Sequence, residues 1–151
     1  MTLSGRTVNS LSFNVPDDFG DFTKTEDIML STNQESTASI AVSEVLDAMG
    51  IAPADYSKEY YTQAIIPSYT DVNFIEFKTD VTVSYATAVY AHFTGKSASG
   101  LAIETYSYLI FYPVDDGDGK FQSIVFSFAK DSNNSLKENI DAVKSSLKIV
   151  E

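Results

Sequence analysis

Apolar and polar side chains alternate through most of this chain, and the phase of the alternation marks where strands run. Leu11, Phe13 and Val15 alternate with Ser10, Ser12 and Asn14, a period of two that predicts a half-buried strand over residues 8–15. Pro16-Asp17-Asp18-Phe19-Gly20 ends it, because proline removes a ladder donor and the Asp/Gly cluster favours a turn. Residues 22–31 predict a second strand, the polar 32–36 a turn, and Ala38, Ile40 and Val42 a third strand within 37–45. Residues 44–50 fit either one or two helical turns closed by Gly50 or a continuation of that strand.

The second half is more regular. Asp55 is a good N-cap, Tyr56, Tyr60 and Ala64 recur at helical spacing, and Pro67 forbids continuation, which predicts a short helix over 55–66. Strands follow over 72–78, 82–94, 101–112 and 120–128, with the Gly95–Gly100 loop as a hairpin connection. Both parities of these strands carry apolar or aromatic side chains. Val89 and Phe93 oppose Ala88 and Tyr90, Leu109 and Phe111 oppose Tyr106, Tyr108 and Tyr112, and Phe121 and Val125 oppose Ile124, Phe126 and Phe128. A sheet with one wet face shows polar residues at every second position, so this sheet is expected to be covered on both sides. Over 135–147, Ser135 and Glu138 have capping-box spacing, and Leu136, Ile140, Val143 and Leu147 lie on one helical stripe. Lys144 and Lys148 stand near the negative end of that helix.

These elements predict an α+β fold: an antiparallel β-sheet of about six to seven strands covered by helices on both faces, an α/β/α sandwich closed by a C-terminal amphipathic helix. The 151 residues fit one domain, residues 8–151, preceded by a polar tail or linker at 1–7. No run approaches the roughly 18 apolar residues of a membrane span. The start of the chain lacks the basic-then-apolar pattern of a signal peptide.

Composition narrows the chemistry. There is no cysteine, which excludes disulfides, zinc–thiolate sites and thiol nucleophiles. Twenty-one acidic against ten basic residues give a net charge of −11, with a single arginine, Arg6. Such a surface repels phosphate, so nucleic acid and anionic membrane surfaces are not expected partners. His92 is the only histidine and has no second histidine or cysteine to form a triad or metal pair; its place beside Phe93 in a strand reads as structural.

Asp115-Asp116-Gly117-Asp118-Gly119 invites a calcium reading, but Lys120 and Ser127 miss the ligand positions of an EF-hand, and a solvated hairpin loop explains it better. Asp17, Asp18 and Asp21 admit the same two readings. The Gly95–Ser99 stretch lacks the spacing of a phosphate loop, and no nucleophile-elbow or dinucleotide motif occurs. Tyr85, Tyr90, Tyr106, Tyr108 and Tyr112, among nine tyrosines, fall on neighbouring strands; they either line a ligand groove or pair across strands beneath a helix, and the second reading is favoured. A carboxylate pair for hydrolysis would have to come from Glu76, Glu104 and the Asp-rich loops. No catalytic, cofactor-binding or metal-ligating set is assigned.

Phe13-Asn14-Val15-Pro16 closing an opening strand, and Gln122-Ser123-Ile124-Val125-Phe126-Ser127-Phe128 leading into Asp131–Leu136 and a last helix, resemble the PsbP/Mog1-like fold of small bacterial lipoproteins and secreted proteins. The resemblance runs from about Val8 to Ile149 and implies an antiparallel sheet between helices. It implies a non-catalytic binding or accessory module, exported and tethered through a lipid anchor ahead of residues 2–9. Its partner is expected to be an unidentified protein or envelope component, with no cofactor and a monomeric state. A carboxylate-based hydrolase and a cytoplasmic interaction domain are the alternatives.

Overall fold

The computed structural model describes residues 2–113 and 119–150. Strands β1 (Leu3–Val8) and β2 (Leu11–Pro16) open the chain, followed by β3 (Thr23–Thr25), β4 (Ile28–Thr32), β5 (Ala38–Ser43) and β6 (Leu46–Asp47). A 3-10 turn at Pro53–Asp55 leads into helix α1 (Lys58–Ile65). Three long strands and a fourth, β7 (Thr70–Val83), β8 (Ala86–Lys96), β9 (Ala102–Tyr112) and β10 (Lys120–Ala129), form an antiparallel meander. Helices α2 (Ser135–Glu138) and α3 (Ile140–Ser145) and the short β11 (Lys148–Ile149) close the chain.

The main sheet has the order β3-β4-β5-β10-β9-β8-β7, with β6 as an eighth strand beside β10; a second sheet is ordered β1-β2-β11. The expectation of six to seven strands was low because two-residue turns cut through segments that alternate without interruption. Asn9 and Ser10 take φ of 48° and 73° and close β1 onto β2; Glu26, at 55°, turns β3 into β4; Ser84, at 54°, turns β7 into β8. None of the three turns contains glycine, the residue that usually announces positive φ.

Residues 1–7, expected as a polar tail, hold strand β1 from Leu3 onward. Its Arg6 guanidinium donates to the Gly20 and Phe19 carbonyls, and Asp17 N donates to Thr2 O. Backbone pairing with β2 and these bonds order a segment whose side chains alone carry little apolar signal.

One face of the main sheet packs on a mixed layer. Ile40, Val42, Ile110, Ile124, Phe126 and Phe128 meet Leu11, Phe13 and Val15 of β2 and Leu136, Ile140 and Val143 of α2 and α3. The opposite face carries a smaller aromatic core in which α1 covers β7–β9. Tyr61 stands edge-on to Phe74, Phe77 and Phe93 at centroid distances of 5.9, 5.9 and 6.1 Å, above Val89, Ala91 and Leu109. The cover is thus a hairpin plus helices on one side and α1 over part of the other, instead of a helical layer on each.

The C-terminal helix differs from its sequence pattern in three places. Asn134, and not Ser135, is the N-cap, its side chain accepting from Lys137 N at 2.8 Å, while Ser135 Oγ turns to donate to Asp18 Oδ1 at 2.5 Å. The helix breaks at Asn139, whose Nδ2 donates to Ser135 O and competes with the backbone ladder. Lys148 leaves the helix altogether and pairs with Ser12 in β11. Similarly, α1 is capped by Ser57 and not by Asp55, which instead accepts from Ala52 N.

The edge strand β7 is long and is interrupted by three register shifts, at Thr70/Asn73, Phe74/Glu76 and Lys78/Val81. These bulges, with Asp71, Glu76, Lys78 and Asp80 along the strand, discourage another strand from adding to this edge. At its other end β8 approaches the backbone of β7 so closely that a Cβ on Gly95 would stand 3.2 Å from Thr70 O.

Candidate functional site

The sites suggested by the sequence separate into three places. His92 is half-buried and its Nε2 lies 2.6 Å from Glu104 Oε2, with Tyr106 stacked on the imidazole at 3.9 Å and 16°. Tyr106 donates to the same carboxylate oxygen, and Lys144 of α3 lies over the rings of Tyr106 and Tyr90 and donates to Tyr90 Oη at 2.8 Å. Glu76 faces His92 in register, yet its carboxylate pairs with Lys78 at 3.4 Å. Burial is the main cause that raises Tyr106, followed by the Glu104 charge; burial likewise pushes Tyr90 up to about 12. This is a packed clasp between sheet and helix, and neither His92, Glu76 nor Glu104 lines the clefts described below.

The second place is the set of loops read as possible ion or phosphate sites. Asp18 is spent on Ser135, and Asp21 stands beside Arg6 in a shallow hollow. Gly95 belongs to β8, and the residues after it form a turn closed by Gly100 N donating to Ser97 O at 2.9 Å. The Asp115–Asp118 loop lies outside the described residues. Among the described residues no group of three or more His, Cys, Asp or Glu side chains is placed to hold a metal.

The third place is the end of the sheet where the β7–β8 turn, the end of β9, the start of β10 and the β5–β6 link converge. Two neighbouring clefts open here, of about 380 and 220 Å³, and they share Tyr85, Tyr112 and Lys120 as a common wall. The larger runs under Ala48–Pro53 to Phe111, and the smaller runs to Ser10, Val45, Ile149 and Val150. Five of the eight large apolar side chains exposed among the described residues stand at this end: Val45, Leu46, Met49, Tyr85 and Val150. Met49 is 78% exposed and Tyr85 53%. Apolar side chains grouped at one end of an acidic protein mark a binding surface more strongly than the same number scattered singly.

A polar frame fixes the wall. Gln122 is fully buried; its Nε2 donates to Asn9 O at 2.6 Å and Ser43 O at 2.9 Å, and its Oε1 accepts from Tyr112 Oη at 2.5 Å. One amide thereby ties the β1–β2 turn, the end of β5 and the end of β9 together behind the cleft. Burial pushes the Tyr112 hydroxyl up to about 12, so it stays a protonated donor to Gln122 at neutral pH. Lys120 Nζ pairs with Asp47 Oδ1 across the β6–β10 register, and Tyr85 and Tyr112 lie 6.4 Å apart between ring centroids. The arrangement offers apolar contact, two phenols and an ion pair, which is the equipment of binding.

The tyrosine row is therefore split. Tyr90, Tyr106 and Tyr108 are buried and pair beneath α3, Tyr90 and Tyr108 at 5.0 Å, whereas Tyr85 and Tyr112 line the clefts. Gln122, Lys120, Val45 and Met49 escaped sequence reasoning. The one available signal was the apolar Val45-Leu46 and Met49 in a stretch with no strand or helix periodicity to bury them.

The long antiparallel meander, with a hairpin and the C-terminal helices on one face, has the PsbP/Mog1-like fold. Solved structures with this likeness include those of a mutant of the protein Mog1 and of the Saccharomyces cerevisiae Ran-binding protein Mog1p. Each has a TM-score of 0.57 and 11% identity, over 100% of this chain and 97% of the other. No family model and no curated protein matches the chain.

Proposed function

We propose that this chain is a binding module that holds a protein partner against the sheet end formed by Val45, Met49, Tyr85 and Tyr112. The observation that carries the proposal is the grouping of exposed Val45, Tyr85 and Val150 in the walls of two adjoining clefts, with exposed Leu46 and Met49 in the neighbouring chain segment. Exposed apolar area of this kind costs solubility unless something covers it. The same fold in Mog1p belongs to a Ran-binding protein, which supports a binding role for the architecture without naming a partner for this chain.

The setting implied by the sequence resemblance, an exported module tethered to an envelope membrane, belongs to the same proposal. The absence of cysteine is compatible with it, and since β1 occupies Leu3–Val8, a tether on the N-terminal side would attach ahead of Leu3.

Position-specific photo-crosslinking in cells tests the binding role. A crosslinking side chain in place of Tyr85 should capture a discrete adduct, whereas one in place of Leu101, exposed at the opposite end of β8 and β9, should not. Equal capture from both positions, or none from Tyr85, refutes the site. Protease digestion of intact cells tests the setting: an exported chain is cut, and a protected chain refutes export.

A further inference from the structure

We infer that the occupant of this sheet end is a basic polypeptide segment that inserts an aromatic or large aliphatic side chain beside Tyr85. The inference rests on the binding role proposed above and specifies its partner.

Shape argues for a polypeptide. Met49 lines neither cleft, and Tyr85 on their shared wall is still half exposed, so a small molecule seated in either cleft leaves much of their apolar surface wet. A segment lying along the rim covers both, and a flexible thioether adapts to what lies on it. Charge argues for a basic one. On the Val45 side, Glu44 N donates to Asp27 O at 3.0 Å, which brings the exposed Glu26-Asp27 turn against the link that leads to the cleft. Lys24 answers Glu44 at 3.1 Å and Lys120 answers Asp47, which leaves Glu26 and Asp27 without an ion-pair partner among the described residues. Asp55 adds a further carboxylate beside Ala52, on the other side of the larger cleft; the cations set against these carboxylates are Lys120 on the shared wall, Lys58 three residues after Asp55, and Lys148 of β11. A chain of net charge −11 attracts basic partners at long range and repels a second copy of itself.

The test is selection of short random peptides displayed on phage against the whole chain, followed by titration of the enriched peptides. The inference expects enriched peptides with one large apolar residue flanked by Lys or Arg. Tyr85→Ala should weaken them about tenfold, or ~1.4 kcal/mol. Glu26→Gln combined with Asp27→Asn should weaken them about threefold at low salt and flatten the salt dependence, because charge pairs at a rim are screened. Apolar peptides without basic residues that still depend on Tyr85 overturn the charge preference and leave the binding site standing. Basic peptides indifferent to Tyr85→Ala overturn the site as well. A library with no enriched peptide, or a chain that self-associates through this end in sedimentation, overturns the inference.

Discussion

Replacing Gln122 with leucine tests whether the buried amide holds the cleft wall. The change keeps roughly the side-chain volume and removes one acceptor and two donors. Asn9 O loses its Gln122 donor, Ser43 O keeps only the 3.2 Å bond from Asn9 Nδ2, and the Tyr112 hydroxyl loses its acceptor but lies close enough to solvent to find water. Leaving the half-buried Asn9 carbonyl unsatisfied costs about 1–3 kcal/mol, and each of the other two lost bonds adds about 0.5–1.5 kcal/mol. The added apolar contact offsets part of this, which leaves a net loss of about 2–4 kcal/mol. For a domain of this size that corresponds to a Tm lower by roughly 5–15 °C. Since the chain has no tryptophan, urea unfolding is best followed by far-ultraviolet circular dichroism. Combining the change with Tyr112→Phe should show less than additive loss, with a coupling of about 0.5–1.5 kcal/mol, because both remove the same bond. A Gln122→Leu variant within about 0.5 kcal/mol of the parent, or a pair that adds in full, refutes the account: the amide would then be replaceable by packing.

Three further outcomes follow from individual contacts. Ser10→Gly creates an Asn-Gly turn where φ is 73° and should raise stability by about 0.5–1 kcal/mol, read as an increased midpoint in the same unfolding experiment. Asn134→Ala removes the α2 cap and should cost about 0.5–2 kcal/mol, whereas Ser135→Ala should leave the Lys137 N cap intact and lose only the bond to Asp18. A larger loss for Ser135→Ala would return the cap to Ser135. Burial pushes Tyr61, Tyr90 and Tyr112 up to about 12 in the folded chain, from 10 when unfolded. The folded state then retains protons that the unfolded state releases, so stability is fully present below pH 10 and declines from there towards pH 12. Tyrosinate absorbance should rise together with unfolding for these residues; early titration without loss of structure would show that they are not buried.

How much was legible depended on whether a residue's role was local or shared between distant segments. The meander was readable because burial of both faces forces apolar side chains onto both parities, as at Val89/Tyr90, Leu109/Tyr108 and Phe121/Ile124. The stripe Leu136, Ile140 and Val143 was readable for the same reason, and all three are core residues. Hidden were the turns at Asn9-Ser10, Glu26-Asp27 and Ser84-Tyr85. Their residues carry no glycine signal, and the cost of positive φ is met by strand pairing on either side, which a local reading does not see. β1 was hidden because its order comes from backbone bonds and from Arg6 reaching Gly20, fourteen positions away.

By itself, then, the sequence determined the fold class, the long strands, the terminal amphipathic stripe and the acidic surface, all of which are set by the periodicity and count of side chains. Tertiary structure decided which polar residues do connected work. Gln122 and Asn9 are 113 positions apart, and Tyr85 reaches Val150 and Val45 only after three separate hairpins and the C-terminus meet at one end of the sheet. A site assembled from chain ends and turns has no period, so its residues become visible only when the strands are laid side by side.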